Sequence, residues 1–155
     1  MFDEFTTRTA LPASDMDGAK AWYAEKLDVK PVDERDVGVA YEMTDGSRFF
    51  LYPSEFAGTN QATALAFETG DKFDEAVPFL RNRGIDFLEV EMEGMTFDDG
   101  VLAAPNGLRG ASFEDNEGNI IGVSNMDLRL RQRSDRSLRR RCEERTGCLS
   151  RVMAD

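Results

Sequence analysis

Apolar and polar residues along the chain fall into two successive rounds of one pattern. The first opens with a short strand over Phe5–Leu11, ended by Pro12. Ser14 or Asp15 then caps a helix over residues 16–27, where Ala19, Trp22, Tyr23 and Leu27 recur on one face at helical spacing. Strands near Val37–Met43 and Arg48–Tyr52 follow. They are joined at Thr44-Asp45-Gly46-Ser47, and Asp-Gly between such runs is a hairpin signal. After a loop of small and polar residues over 53–61, Thr63–Glu68 restarts the pattern as a strand. Gly70-Asp71 opens a helix over 72–83, with Phe73, Ala76, Val77 and Leu80 as its apolar face and Gly84 at its end. Pro78 inside that helix is expected to kink it or to shift its start. Strands near Ile85–Glu91, Gly110–Glu114 and Asn119–Ser124 close the round, with Asn116-Glu117-Gly118 as the last hairpin turn. The long Gly-rich connection MTFDDGVLAAPNGLRG has room for a short strand near Val101–Ala103, and connections of that length often cover sites. Each round alone offers a sheet face too small to bury, so pairing the two is the physical reason for the repeat.

Composition narrows what such a chain can do. At 155 residues, 41% hydrophobic and 32% charged, it reads as one globular domain over 1–126 with an Arg-rich extension over 127–155. No apolar run reaches the roughly 20 residues that span a bilayer. The acidic start, Met1-Phe2-Asp3-Glu4-Phe5, lacks the marks of a secretory signal, so a cytoplasmic location is the default expectation. Cys142 and Cys148 both fall in the extension, so the body needs no disulfide. The absence of histidine matters most: it removes the commonest neutral metal ligand and the readiest proton carrier near neutral pH. Residues 1–126 hold 10 Lys/Arg against 25 Asp/Glu, a net of −15, while 127–155 hold 9 Arg and 5 Asp/Glu, a net of +4. The body therefore disfavours nucleic acid and, if its charge has a use, favours a cationic small molecule over an anionic one.

Three segments resemble a known family. RTALPASDMDGAKAWYAEKL is similar to the opening of glyoxalase / bleomycin-resistance / dioxygenase (vicinal oxygen chelate) proteins, with Asp15, Trp22, Tyr23 and Leu27 matching and Asp28 in place of the usual Gly. LAFETGDKFDEAVPFLRNRGID resembles the start of the second module. ASFEDNEGNIIGVSN resembles the closing hairpin, with Asn116 where the family has Pro. The resemblance covers about residues 5–125 and implies an α+β fold of two tandem βαβββ modules, about 5–55 and 62–125, forming a strongly curved, cup-like mixed sheet with helices on its convex face.

In metal-dependent members of that family, four ligands come from four strands, typically two His and two acidic residues. The slots implied here hold Arg8, Phe50, Ala64 and Gly122, none of which offers a divalent cation a useful donor. Strand parity agrees with this placement. Leu11, Phe49, Leu51, Leu65, Phe67, Ile121 and Val123 share the parity expected under the helices, and the four slots have the other. A slip of one residue would reverse the faces, but would put large apolar residues in the cup.

The candidate residues follow from that face. Arg8 either binds an anionic ligand group or pairs with Glu68, which shares its parity. Phe50 and Tyr52, opposite the small residues Ala64, Ala66 and Gly122, leave room for something flat, whereas Trp22 and Tyr23 read as core packing. Glu42, Glu68 and Glu114 are the carboxylates expected to touch the cup, without the spacing of a cation cage. GLRG over 107–110 reads as a turn, and the extension as an appendage or a basic arm. The expectation is a metal-independent binder of a small molecule, in the manner of the antibiotic-resistance branch. No cofactor, membrane or nucleic acid is called for, and a homodimer is left open because such relatives often complete their cups across an interface. The ligand-binding set is Arg8, Phe50, Tyr52, Ala64, Glu68, Gly122 and Glu114. The alternative is an isomerase or lyase using Glu68 or Glu114 as base and Arg8 as oxyanion support.

Overall fold

The computed structural model describes residues 1–89 and 96–127. Met1–Asn125 form one compact unit. The cysteine pair and the Arg-rich extension, apart from its first residue, lie outside the described residues. In chain order the elements are β1 (Thr9–Ala13), α1 (Met16–Leu27), β2 (Asp33–Arg35), β3 (Gly38–Glu42), β4 (Arg48–Pro53), β5 (Leu65–Glu68), α2 (Phe73–Arg81), β6 (Thr96–Asp98), β7 (Val101–Ala103), β8 (Arg109–Glu114) and β9 (Ile120–Ser124). Each module builds its own mixed sheet, ordered β1-β4-β3-β2 in the first and β5-β9-β8-β7-β6 in the second. In both, the opening strand runs parallel to the last, Leu11 beside Leu51 and Leu65 beside Ile121. The duplication is thus present strand for strand, with β6 added at the far edge of the second sheet.

The strand register keeps the expected apolar face under the helices. Leu11, Phe49, Leu51, Ile121 and Val123 are buried, and Leu65 and Phe67 pack partly buried against them. Tyr23 of α1 sits 5.6 Å from Tyr41 and 5.4 Å from Phe49, ring centre to ring centre, which fixes that face as the one under the helix.

Several boundaries differ from the sequence reading. The first strand starts at Thr9 rather than Phe5, and it includes Pro12 instead of ending there. Proline is tolerated because β1 is the edge strand of its sheet and Pro12 need not donate outward. The second helix begins at Phe73, behind a 3-10 turn over Gly70–Lys72, so its start is shifted by one residue from the expected 72. Pro78 still lies within it, at a position that would otherwise donate to Asp74. The strand expected over Ile85–Glu91 is no strand as far as residue 89, and its last two residues lie outside those described. One bond, from the Leu88 amide to the Ser112 carbonyl at 2.7 Å, lays this segment along β8. The short β2 and β6 were not foreseen.

The two modules are joined by the last hairpin. Asp115 and Asn119 are buried polar residues. Asp115 accepts from the Tyr23 hydroxyl at 2.9 Å, and Asn119 Nδ2 donates both to Asp115 and to the Pro12 carbonyl at 2.9 Å. Glu117 on the same turn accepts from the Ser14 hydroxyl at 2.7 Å, beside the Asp15 cap of α1. Burial, with the Asp115 charge alongside, pushes the Tyr23 phenol well above its ordinary range, so this network holds a neutral tyrosine.

Candidate ligand site

The face of the first sheet away from α1 carries a hollow of about 550 Å³ lined by Arg8, Asp33, Arg35, Glu42, Arg48 and Phe50, among others. It includes Phe50 and its cross-strand neighbour Ala40, a small residue beside an aromatic ring. The Arg8 guanidinium lies 4.1 Å from the centre of the Phe50 ring, a cation–π contact. The ring also lies against Gly38. A Cβ there would come within 2.6 Å of the Phe50 ring edge and 2.2 Å of the Leu51 carbonyl, and its φ of 140° already excludes most side chains. Gly38 is therefore what lets Phe50 lie flat, and Phe50 is what holds Arg8.

Charge around this hollow is locally arranged. Arg48 pairs with Glu42, its cross-strand neighbour, at 2.6 Å through Nε, and Arg35 pairs with Asp33 at 2.7 Å. Among the described residues Arg8 forms no ion pair, so its charge is the unmatched one in the hollow. The Arg8–Glu68 pair considered from the sequence therefore does not form.

The second sheet has its own hollow, of about 260 Å³, over the row Ala66–Gly122–Ser112 and bounded by Thr63, Leu88 and Leu102. Its floor is small-residued throughout. A Cβ added at Gly122 would sit 3.3 Å from Thr63 Cγ2 and 3.7 Å from Ala66 Cβ.

The expected site residues are thus divided. Arg8 and Phe50 meet in the first hollow, and Gly122 lies in the second. Ala64 is half-buried just before β5, its amide donating to the Ile120 carbonyl at 2.8 Å. Tyr52 is half-buried opposite Pro12. Glu68 is half-buried at the end of β5, opposite Ser124, and Glu114 is exposed at the end of β8, opposite Ile120. Arg35 and Arg48 were missed. Arg48 shares the parity of Phe50 and could have been found on that ground; Arg35 belongs to the unforeseen β2.

A family model for the "Glyoxalase/Bleomycin resistance protein/Dioxygenase superfamily" matches residues 6–123. The chain belongs to this superfamily. Solved structures of superfamily proteins share its fold. A glyoxalase/bleomycin resistance protein from Catenulispora acidiphila DSM 44928 is 17% identical, with a TM-score of 0.59, covering 79% of this chain and 99% of its own. A glyoxalase/bleomycin resistance protein/dioxygenase from Alicyclobacillus acidocaldarius is 18% identical, with a TM-score of 0.58 and coverage of 77% and 89%. A variant of the fosfomycin resistance protein FosX from Listeria monocytogenes, complexed with Mn(II) and 1S,2S-dihydroxypropylphosphonic acid, is 11% identical, with a TM-score of 0.55 and coverage of 80% and 91%. At such identities the likeness establishes the fold alone. A search of curated proteins gave no match.

For a superfamily member, the metal question turns on the donors available. Arg8 is a cation engaged with a ring, Phe50 and Ala64 are hydrocarbon, and Gly122 has no side chain. Among the described residues no group of three or more His, Cys, Asp or Glu is gathered as a metal ion would require. The four slots do not fit a divalent cation.

Proposed function

We propose that this protein binds a small molecule without a metal ion, and that Arg8 stacked on Phe50 is the anchor. The observation that carries the reading is that guanidinium, unmatched among the described residues, on a flat ring in the larger hollow. A positive group held at a slot that relatives use for a cation can meet the anionic part of a ligand directly, with charge-assisted hydrogen bonds and no metal between them. Phe50 and its small neighbour Ala40 then accept a flat body. The body's net charge of −15 argues for a cationic ligand, such as a cationic drug. The hollow's own side chains, Arg8, Arg35 and Arg48 against Asp33 and Glu42, carry the opposite local balance. At contact distance the local charges act most strongly, since distant ones are screened within about 10 Å at ordinary salt. We therefore expect a carboxylate- or phosphonate-bearing ligand to bind better than a cationic one. The alternative reading, carboxylate catalysis with Glu68 or Glu114 as base and Arg8 in support, has both carboxylates on the second sheet and Arg8 just ahead of the first.

The test is calorimetric titration with small aromatic carboxylates, phosphonates and matched cationic compounds, with and without EDTA. Binding of the acids unchanged by EDTA, and at least tenfold weaker in Arg8→Ala, is the expected result (about 1.4 kcal/mol per tenfold). Affinity indifferent to Arg8→Ala, or binding that needs a stoichiometric metal, sinks the proposal.

A further inference from the structure

The three guanidiniums that line the first hollow are not gathered at one point, because β3 separates them. Arg35 lies opposite Gly38 at the start of that strand, and Arg48 lies opposite Glu42 at its end. Four residues of extended chain put these two anchor points about 13 Å apart. Arg8, one residue ahead of the Thr9–Phe49 pair, belongs to the Arg48 end. Both ends line the same hollow, as do Ala40 and Phe50 between them.

Each end has donors to spare among the described residues. Arg35 gives Asp33 its Nε at 2.7 Å, and its two Nη amines have no acceptor there. Arg48 turns Nε and Nη2 to a single Glu42 oxygen and keeps Nη1. Arg8 has the face of the Phe50 ring and no carboxylate. A guanidinium donates and never accepts, so acceptor atoms are what both ends lack. Val32 and Val37, on either side of β2, are exposed and also line the hollow, giving it an apolar flank near Arg35.

We infer that the ligand of this hollow is two-headed: a flat molecule with an anionic group at each end, one held by Arg8 and Arg48, the other by Arg35. This rests on Arg8–Phe50 being the ligand anchor proposed above, and adds the class of ligand. Two acids side by side on a ring reach one end of the hollow; two acids at opposite ends of a ring reach both. Arg35 is then the residue that selects the second acid. Asp33 offsets its charge and orients it, so the second acid is recognised by the direction of the free N–H groups more than by net charge.

The test is calorimetric titration of the full chain at neutral pH with benzoate, phthalate and terephthalate. The last two are isomers of equal charge, ortho and para, and differ only in where the acids sit. Terephthalate is expected to bind about fivefold more tightly than phthalate. The gain is modest because the Arg35 side chain is 72% exposed and exposed ion pairs contribute little. Asp33→Asn combined with Arg35→Gln keeps the net charge of that end. It should erase the preference for the para isomer and leave benzoate unchanged. Both residues are exposed on the edge strand β2, so the fold does not depend on them. Equal affinity for the two isomers, a para preference that survives the double change, or benzoate weakened by it as much as terephthalate would each overturn the inference. Benzoate separates this from the proposed function. If its binding is indifferent to Arg8→Ala, that reading fails and takes this one with it. If it needs Arg8 while the isomers bind alike, only the second head is lost.

Discussion

Tyr41 shows how a single buried atom can set a stability balance. Its ring is fully buried and stacked on Phe49 at 4.5 Å between centres, with only 3° between planes. Among the described residues its hydroxyl is the buried side-chain oxygen with no hydrogen-bond partner. An unmet buried hydroxyl costs on the order of 1–3 kcal/mol, so Tyr41→Phe should leave the fold intact and raise its stability by about 1 kcal/mol in urea denaturation. The same burial, reinforced by the Glu34 charge and opposed by Lys20, pushes the Tyr41 phenol up to about 12. The neutral form is the one folding favours. Its contribution is whole below pH 10 and drains away as the pH climbs from there to about 12. Tyr41→Phe should therefore soften the alkaline loss of stability without abolishing it, since Tyr23 is held neutral too. A variant that unfolds at the same alkaline midpoint as the parent would contradict this. None of it could be read from the chain: parity places Tyr41 under the helix, but whether its oxygen finds a partner depends on atoms brought from elsewhere. The same holds for Asp115 and Asn119. The motif that contains them is visible in the sequence, while their role as the clamp on Tyr23 and Pro12 is not.

At the level of elements, α1 was the most legible segment, and its ends explain why. Asp15 caps it by accepting from the Gly18 amide at 3.0 Å, as its place ahead of an apolar-periodic run predicts. Its other end stops at Asp28, held in the left-handed conformation with φ 56° and ψ 34°. That position is the one where the family resemblance implies glycine. A side chain pays for that conformation and glycine does not, so Asp28→Gly should stabilise the protein by about 1 kcal/mol, read as a rise in the urea midpoint with an unchanged slope. No change, or a fall, would mean that the Asp28 side chain earns its place by other means. The strands were less legible where they are short or at an edge. Pro12 looks like a terminator in sequence and is not one, because an edge strand leaves its outward donor unused. The three-residue β2 and β6 have too few positions to show alternation; pairing with β3 and β7 defines them.

At the scale of the whole molecule, the two hollows lie on separate sheets, one bearing the Arg8–Phe50 pair and the other a floor of small residues. We expect two copies to bring these surfaces together, so light scattering after size exclusion should give twice the mass of the chain, and loss of the dimer should weaken ligand binding. A monomer at micromolar concentration with full affinity would refute this. Among the described residues no helix is long and apolar enough to cross a membrane. Sequence alone determined the duplicated strand–helix–strand order and the face of each strand that meets a helix, because periodicity and residue type are local properties. Only the tertiary structure decided that Arg8 rests on Phe50 rather than pairing with Glu68, and that Arg35 and Arg48 line the same hollow. Those outcomes depend on distances between residues far apart in the chain, which close packing settles and local pattern does not.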